Sequence, residues 1–250
     1  MEIFKGVKTI PGQRAVLFEE LDLVAISDLQ LGEEQYLAEE AKIYIPEFQL
    51  KLILDDLDEL KAKAGVSRIL VNGDLKHEFG SATSQEWFEV KRLIEKLRSL
   101  FKEIIIVRGN HDNFLVSIVK KLGLEIKEEH RESGYLFVHG HKIPENFSGV
   151  SFVTIGHEQP AVVLRSGFDR VKLHVVLYGK DKEGRNFICL PAYSPLASGV
   201  EVNVIPKEEL LSPFFHELVD VDELEAVAID KAVGEIALPK VGLLRKFLIA

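Results

Sequence analysis

The most informative segment of the sequence runs Ile104-Ile105-Ile106-Val107-Arg108-Gly109-Asn110-His111-Asp112. Its four consecutive β-branched residues are typical of a strand that is buried on both faces, as strands of parallel sheets are. The glycine permits a sharp turn, and polar side chains follow where the strand ends. In open α/β sheets, ligands bind in the crevice at the carboxyl ends of the strands. The segment therefore predicts a parallel sheet with a functional site at this edge.

The segments on either side predict alternating strands and helices. Apolar runs at 23–26 and 68–72 predict strands, with another at 15–18. Apolar residues at near-helical spacing predict helices at 46–63, beginning at a proline, and at 114–122. A third helix follows Thr83 and Glu86, which form a capping-box pattern, and its apolar face consists of Trp87, Val90, Ile94, Leu97 and Phe101. From residue 23 the predicted order is β-α-β-α-β-α.

The second half of the chain has a different pattern. Turn residues separate short runs with strand character at 135–138, 151–155, 161–164, 171–178 and 186–190. Parallel strands joined by helices, followed by a series of strands, predict an α/β sandwich with two sheets. We expect one domain over 1–250, with 207–250 as a C-terminal extension packed on it. The loop at 191–199 and the acidic run at 33–40 are interpreted as ordinary turn and solvated surface.

Composition limits the class of protein. The chain has 250 residues, of which 46% are hydrophobic and 28% charged, so it can bury a sizeable core. Its formal net charge of −9 lacks the basic balance usual in proteins that bind long nucleic acids. Neither a signal peptide nor a membrane span is recognisable, and the one cysteine, Cys189, is expected to be buried and inert. We expect a cytoplasmic protein without a membrane partner.

Polar side chains suited to metal binding follow five predicted strands. They are Asp28 and Gln30, then Asp74, then Asn110, His111 and Asp112, then His139 and His141, and finally His157 and Gln159. A single strand-end aspartate or histidine is most often a turn residue. Five sets at the carboxyl ends of neighbouring strands favour one shared metal site.

In this order the motifs resemble those of the calcineurin-like metallophosphoesterase family. They are Asp28-Leu29-Gln30, Gly73-Asp74-Leu75-Lys76-His77, Gly109-Asn110-His111-Asp112, His139-Gly140-His141 and Gly156-His157-Glu158-Gln159, within residues 24–160. The resemblance implies a four-layer α/β/β/α sandwich and a two-metal centre that hydrolyses phosphomonoesters or phosphodiesters.

The resemblance also implies roles for individual residues. Asp74 would bridge two metal ions, Asn110, His139 and His157 would complete one site, and Asp28 would bind the other ion. His111 would be the acid or electrostatic group at the leaving oxygen. His77 stands where many phosphatases of the family have an aspartate. With a histidine at this position, the motif is similar to that of the DNA-repair nuclease branch and its small helicase- or ligase-associated archaeal and bacterial relatives. This similarity favours phosphodiesters, with nucleic acid among the candidate substrates.

Two departures from the family pattern concern one metal ion. Gln30 and Gln159 stand where the family usually has histidines, and both would serve the ion at Asp28. An amide oxygen is a harder and poorer ligand than imidazole, which disfavours zinc or iron while still tolerating manganese, magnesium or calcium. The two glutamines either coordinate this ion or only fill the positions with hydrogen bonds, so the second site should be weak, altered or empty.

The remaining motif residues and the alternative function complete the prediction. We interpret Asp112 as an orienting group and His141 as a side chain near the ligands or substrate. The primary hypothesis is a metal-dependent phosphoesterase with manganese as cofactor and two metal sites. The alternative is a family member with weakened catalysis that acts as a binding or scaffold protein. Metal stoichiometry discriminates between the two.

Overall fold

Two β-sheets lie face to face, with helices on both outer sides. The computed structural model describes residues 1–39, 42, 48–77, 84–112, 115–166 and 169–247, with only the backbone at 39, 84–86, 166 and 247. Among these residues the helices are α1 (Glu33–Glu39), α2 (Gln49–Ala64), α3 (Ser84–Leu100), α4 (Leu115–Lys121), α5 (Pro213–Glu217) and α6 (Val241–Phe247).

Sheet 1 follows the order of the chain. Its strands are β1 (Glu2–Phe4), β2 (Val7–Ile10), β3 (Gln13–Phe18), β4 (Leu23–Ile26), β5 (Arg68–Asn72), β6 (Glu103–Val107) and β7 (Ile126–Lys127). The first four strands are antiparallel to one another, and β4, β5, β6 and β7 run parallel. The carboxyl ends of β4, β5 and β6 therefore meet at one edge.

Sheet 2 has the order β14-β11-β12-β13-β10-β9-β8, and β15 pairs with both β12 and β16. Its strands are β8 (Glu129–Glu132), β9 (Tyr135–Val138), β10 (Phe152–Ile155), β11 (Pro160–Ser166), β12 (Asp169–Lys180), β13 (Asn186–Cys189), β14 (Val200–Glu201), β15 (Glu225–Asp230) and β16 (Gly234–Leu238). At its centre β9, β10 and β13 are parallel, so these strands also end on the same side.

Three hydrophobic cores separate the four layers. Sheet 1 packs on α2, α3 and α4 through one core, and the faces of the two sheets form the second core between them. The third core lies between sheet 2 and α5 and α6, where Phe214 and Leu244 are buried. Strand β4 illustrates the alternation, because Val24 faces the helices and Ala25 faces sheet 2. The predicted α/β/β/α sandwich is confirmed.

Several details differ from the sequence-based expectation. Strands β1, β2, β7, β8, β14, β15 and β16 and helices α1, α5 and α6 were not predicted, and the predicted helix over 46–63 is observed as α2, beginning at Gln49. Pro46, Thr83 and Phe114 lie outside the described residues, so the capping box is not observable. Cys189 is buried, as expected. No helix among the described residues is long and apolar enough to cross a membrane.

The acidic run at 33–40 is not simply a solvated surface. Glu34 is buried, and its Oε1 accepts hydrogen bonds of 2.7 Å from the backbone N–H groups of Phe48 and Gln49. These donors lie at the start of α2, where backbone N–H groups have no partner within the helix and a negative charge is favourable. Glu34 thus stabilises the amino end of the helix that covers sheet 1.

Residues 207–247 contribute to both sheet 2 and the layer outside it. Strand β15 hydrogen-bonds to β12 from Val175 to Tyr178. The ring of Phe214 on α5 lies 6.2 Å from that of Phe187 on β13. The C-terminal part of the chain therefore shares a core with the strands that lead to the site.

Candidate metal centre

The polar residues that follow β4, β5, β6, β9 and β10 meet between the carboxyl edges of the two sheets. Sheet 1 supplies Asp28 and Asp74, and sheet 2 supplies His139 and His157. His139 Nε2 lies 3.3 Å from Asp74 Oδ2, and the backbone N–H of His157 donates to Asp28 Oδ2 at 3.1 Å. Residues that follow strands of opposite sheets thus lie together at one place.

The backbone at this site is unusual. Asp28, Gln30, Asp74, His157 and Gln159 all have φ between 50° and 60°. This left-handed region is sparsely populated by residues other than glycine and costs free energy of order 1–3 kcal/mol each when enforced. Such positions concentrate at functional sites, and here they turn five polar side chains inward.

Two glycines allow the loops to approach the acidic side chains closely. A Cβ atom at Gly109 would overlap the carboxylate of Asp74, and one at Gly156 would overlap the hydroxyl of Ser27. Any larger residue would displace these side chains. The glycines in these motifs are therefore required by packing at the centre itself.

Asp74, His139 and His157 form what we call the three-ligand cluster. Their ligand atoms all lie within 4.8 Å of one another. His139 Nδ1 donates to the backbone oxygen of Asn72 at 2.8 Å, which directs Nε2 into the cluster. This Nε2 is buried and has no hydrogen-bond partner with acceptable angles among the described residues. A carboxylate and two imidazoles at these distances fit a divalent metal ion.

The electrostatics of the cluster favour a cation. Burial raises the pKa of Asp74, but the charges and hydrogen bonds of His139 and His111 together outweigh this effect and hold the pKa at about 2. Burial alone lowers the pKa of His139, yet the charges of Asp74 and Asp28 raise it to about 9. Burial and the charge of His139 lower the pKa of His157 to about 3, which leaves that imidazole neutral. The two buried carboxylates thus attract positive charge, and His157 is ready to act as a ligand.

The two glutamines both contact acidic side chains. Gln30 Nε2 donates to Asp74 Oδ2 at 3.0 Å, and Gln30 Oε1 lies 3.0 Å from His77 Nδ1. Gln159 Nε2 donates to Asp28 Oδ1 at 3.1 Å. Asp28 is fully buried, and burial raises its pKa to about 6. Both glutamines were expected at the ion held by Asp28, whereas the Gln30 amide contacts Asp74 and His77 and only the Gln159 amide contacts Asp28.

His111 and His77 lie side by side at the edge of the centre. The backbone N–H of His111 donates to Asp74 Oδ1 at 3.1 Å, and its Nδ1 contacts the backbone oxygen of His77. The imidazole Nε2 of His111 lies 3.8 Å from Asp74 Oδ2, and the side chain is 19% exposed. The two rings are stacked with centroids 6.0 Å apart. Both side chains are therefore placed beside the cluster rather than within it.

Asp112 supports the loops of the centre. Its Oδ2 accepts from the backbone N–H groups of Asp74 at 2.9 Å and Gly109 at 2.8 Å, and its Oδ1 accepts from Leu75 at 3.0 Å. The side chain is fully buried. The Asp112 side chain therefore connects the loop after β5 with the loop after β6 and orients them relative to each other.

Asn110 and His141 lie next to other residues of the centre. Asn110 stands between Gly109 and His111, whose backbones contact Asp74. The His141 ring lies 5.5 Å from that of His139. Both residues line a cavity of about 230 Å³ together with Arg108, Gly109, Glu128 and Lys142. Arg108 Nη1 pairs with Glu128 Oε1 at 2.7 Å, so the cavity holds this ion pair and the cation of Lys142.

Sequence reasoning missed residues that hold the motif loops in place. Ser27 Oγ donates to Asp28 Oδ2 at 2.6 Å, and Asn72 Nδ2 donates to the Val138 backbone oxygen at 2.8 Å. Glu158 accepts from the backbone N–H groups of Leu211 at 3.2 Å and Ser212 at 2.8 Å. Ser27, Asn72 and Glu158 adjoin the motifs and could have been considered. Leu211 and Ser212 carry no signal in the sequence.

The loop at 191–199 also contacts the centre, although it was interpreted as an ordinary turn. The backbone N–H of Tyr193 donates to the backbone oxygen of Ser27 at 2.8 Å, and that of Ser194 donates to the backbone oxygen of Asp28 at 3.1 Å. Arg14 Nη1 in turn donates to the backbone oxygen of Ser194 at 2.9 Å. The loop therefore holds the backbone that carries Asp28.

One family model matches the chain, and several solved structures are similar to it. A family model described as calcineurin-like phosphoesterase matches residues 21–205. The crystal structure of the Pseudomonas putida nuclease MPE has a TM-score of 0.61 at 16% identity, covering 91% of this chain and 93% of the other. Yfce, a phosphoesterase from E. coli, has a TM-score of 0.41 at 19% identity, with 71% and 83% covered. A Vps29 mutant from Entamoeba histolytica has a TM-score of 0.35 at 13% identity, with 86% and 98% covered. No curated protein sequence matches the chain significantly.

Proposed function

The chain belongs to the calcineurin-like phosphoesterase family, and we propose that it is a metal-dependent hydrolase of phosphoric esters that cleaves phosphodiester bonds. The observation that carries this proposal is the three-ligand cluster, which collects a carboxylate and two imidazoles from opposite sheets within 4.8 Å. A divalent ion bound there would supply positive charge that polarises a phosphoryl oxygen and activates water.

The residues of the chain prepare this chemistry in three ways. Asp74 keeps its negative charge at neutral pH, because its pKa is held at about 2. His139 is oriented by its hydrogen bond to Asn72, so Nε2 faces the cluster. The loops after β5 and β6 are held together by Asp112, which limits movement of Asp74 relative to His111.

His111 is the proposed acid at the leaving oxygen. Its Nδ1 contacts the His77 carbonyl, which leaves Nε2 directed to the cleft beside Asp74. A proton held on Nε2 could pass to the oxygen that leaves phosphorus, and its positive charge would stabilise that oxygen during bond breaking. His77 packs beside this ring and is proposed to face the substrate.

The cavity beside Asn110 supports a phosphodiester substrate. Lys142 lines it beside the ion pair of Arg108 and Glu128, so a second ester group or a neighbouring phosphate can lie against the charge of Lys142. His77 makes its motif similar to that of the nuclease branch, and this similarity also favours a phosphodiester substrate. We include nucleic acid among the proposed substrates, with recognition confined to this local charge because the chain is acidic overall.

Manganese is the proposed metal. The three-ligand cluster combines two imidazoles with the carboxylate oxygen of Asp74, a donor set that manganese accepts. We also propose a cytoplasmic location, which suits a protein whose one cysteine, Cys189, is buried and free.

Hydrolysis of bis-p-nitrophenyl phosphate by protein loaded with manganese tests the proposal. The wild type and His216→Ala should release nitrophenol, and Asp74→Asn should not. His216 is a matched control because it lies on α5 and contacts the Leu210 carbonyl rather than any site residue described above. Full activity in the presence of a chelator would overturn the metal dependence, and equal rates with zinc would overturn the preference for manganese.

One observation favours the second candidate, a binding or scaffold protein with weakened catalysis. Gln30 and Gln159 stand in place of two metal ligands and donate hydrogen bonds to Asp74 and Asp28. If the loaded wild type binds metal but hydrolyses neither phosphomonoesters nor phosphodiesters, this candidate replaces the first.

A further inference from the structure

We propose that the centre holds one metal ion, at the three-ligand cluster, and that the side-chain amides of Gln30 and Gln159 permanently take the place of a second ion. The inference rests on the proposed function for the identity of the site as a metal centre. It concerns which of two neighbouring positions can be filled, and it follows from the direction of two amide groups.

The orientation of Gln30 follows from its neighbours. One end of the amide lies 3.0 Å from Asp74 Oδ2, and only an N–H donor can stand so close to a carboxylate oxygen without repulsion. The other end is then the amide oxygen, which accepts the hydrogen bond from His77 Nδ1 at 3.0 Å. Gln30 is 4% exposed, so water cannot easily replace either partner. The only ligand atom of Gln30 therefore points away from Asp74.

Gln159 repeats this arrangement on the other carboxylate. Its Nε2 donates to Asp28 Oδ1 at 3.1 Å, while Asp28 Oδ2 accepts from Ser27 Oγ at 2.6 Å and from the His157 backbone at 3.1 Å. This fully buried carboxylate thus already accepts three hydrogen bonds, one at Oδ1 and two at Oδ2. A metal ion at Asp28 would have to displace the amide and compete with the remaining donors.

The two positions differ in their donor atoms. At the three-ligand cluster, two imidazoles stand beside the Asp74 carboxylate, and buried His139 Nε2 lies 3.3 Å from Asp74 Oδ2 without a well-aligned hydrogen bond among the described residues, so a metal ion can take over this contact. At Asp28, the neighbouring side chains of Gln159 and Ser27 direct hydrogen-bond donors at the carboxylate. The residues present therefore fit one ion and do not fit a second.

The positions of the glutamines argue against a loop that has simply relaxed. Gln30 and Gln159 keep φ values of 52° and 50°, in the same left-handed region as Asp28 and Asp74. Gln49 Nε2 also donates to the Gln30 carbonyl at 2.9 Å, which holds this backbone in place. The backbone that carries the Gln30 amide is consequently fixed at the centre.

Metal stoichiometry tests the inference directly. Apoprotein is incubated with excess manganese, desalted and measured by inductively coupled plasma mass spectrometry, and titrated in parallel by calorimetry. We expect one ion per wild-type chain and none in His139→Ala. Two ions per wild-type chain, or none, would overturn the inference. The wild-type value decides the question without reliance on any variant.

The double variant Gln30→His/Gln159→His extends the test. Restoring two imidazoles should raise the stoichiometry from one ion to two, whereas Gln13→His, a matched buried glutamine on β3, should leave it at one. Failure of the inference is distinguishable from failure of the proposed function. A wild type that binds two ions and hydrolyses phosphodiesters overturns only the inference, and one that binds a single ion without turnover overturns only the proposed activity.

Discussion

The side-chain hydroxyl of Ser212 donates a hydrogen bond of 2.7 Å to the backbone oxygen of Gly140, 72 positions earlier in the chain. Gly140 lies between His139 and His141, so the C-terminal part of the protein directly holds a loop of the centre. The N–H of Ser212 also donates to Glu158, which adjoins His157. One serine thus contacts both histidine motifs of sheet 2.

Ser212→Ala should weaken both stability and metal binding. The hydroxyl also accepts from the Phe214 backbone at the start of α5, and loss of such a cap costs about 1 kcal/mol. Loss of the bond to Gly140 adds a similar amount. We expect urea unfolding to show a total loss of about 2 kcal/mol and the manganese dissociation constant to rise. Ser99→Ala, on exposed α3 surface, should change the unfolding free energy by less than about 0.5 kcal/mol. Unchanged metal affinity in Ser212→Ala would exclude the positioning role.

Asp112→Asn should destabilise the fold through the loops after β5 and β6. An amide retains one oxygen for the N–H groups of Asp74 and Gly109, but its NH₂ group would face the Leu75 N–H. A buried donor without an acceptor costs about 1–3 kcal/mol. The unfolding free energy in urea should fall by that amount, compared with less than about 0.5 kcal/mol for exposed Asp169→Asn. Equal values for the two variants would contradict the role of Asp112.

His111→Gln should separate catalysis from metal binding. Loss of a positioned acid lowers turnover by about 10²- to 10⁴-fold, while the three-ligand cluster stays complete. The rate on bis-p-nitrophenyl phosphate and the manganese dissociation constant are measured on the same preparations, with His216→Gln as the control. A parallel loss of metal affinity would instead identify His111 as a ligand.

The pair formed by Arg68 and Glu132 should make stability depend on pH. Arg68 on β5 donates to both carboxylate oxygens of Glu132 on β8, at 2.9 and 2.8 Å, and so connects the two sheets. These hydrogen bonds hold the pKa of Glu132 below its ordinary value of 4.5. A lowered carboxyl pKa contributes stability above the unfolded pKa, and this contribution is lost as the pH falls through the folded pKa.

Glu132→Gln should therefore cost about 1 kcal/mol at neutral pH, and the difference from wild type should shrink as the solution is acidified below that pKa. Urea unfolding of both proteins across the acidic range measures this difference. A difference that grows with acidification has the wrong sign and would exclude the assignment.

Phe214→Ala should show how strongly residues 207–250 belong to the single proposed domain. Phe214 is 1% exposed and packs on Phe187 in the core of sheet 2. Truncation of a buried phenylalanine costs about 3–5 kcal/mol. Leu211→Ala is the control because Leu211 is 56% exposed. We expect one cooperative unfolding transition with a large loss of unfolding free energy. A separate, earlier unfolding transition of the C-terminal part would argue that it is an independent domain.

The sequence predicts the bounds of a strand correctly where an apolar run ends at turn residues. Strands β4, β5 and β9 have the predicted bounds, because each is a short buried run next to a glycine or polar residues. Strand β16 was missed because its residues are half-buried or exposed, so no apolar run marks it. Parallel neighbours end at the same edge, and this allowed the members of the site to be named in advance. The direction of the Gln30 amide depends on two partners distant in sequence, and no local pattern could reveal it.

The three-ligand cluster draws Asp74 from sheet 1 and His139 and His157 from sheet 2. A bound ion would consequently act as a cross-link across the interface between the sheets, and its binding free energy would oppose their separation. At a free metal concentration of 100 times the dissociation constant, this linkage contributes about 2.7 kcal/mol. Amide hydrogens on the facing strands would then exchange more slowly in the metal-loaded protein. The metal centre would thus also determine how readily the two sheets separate.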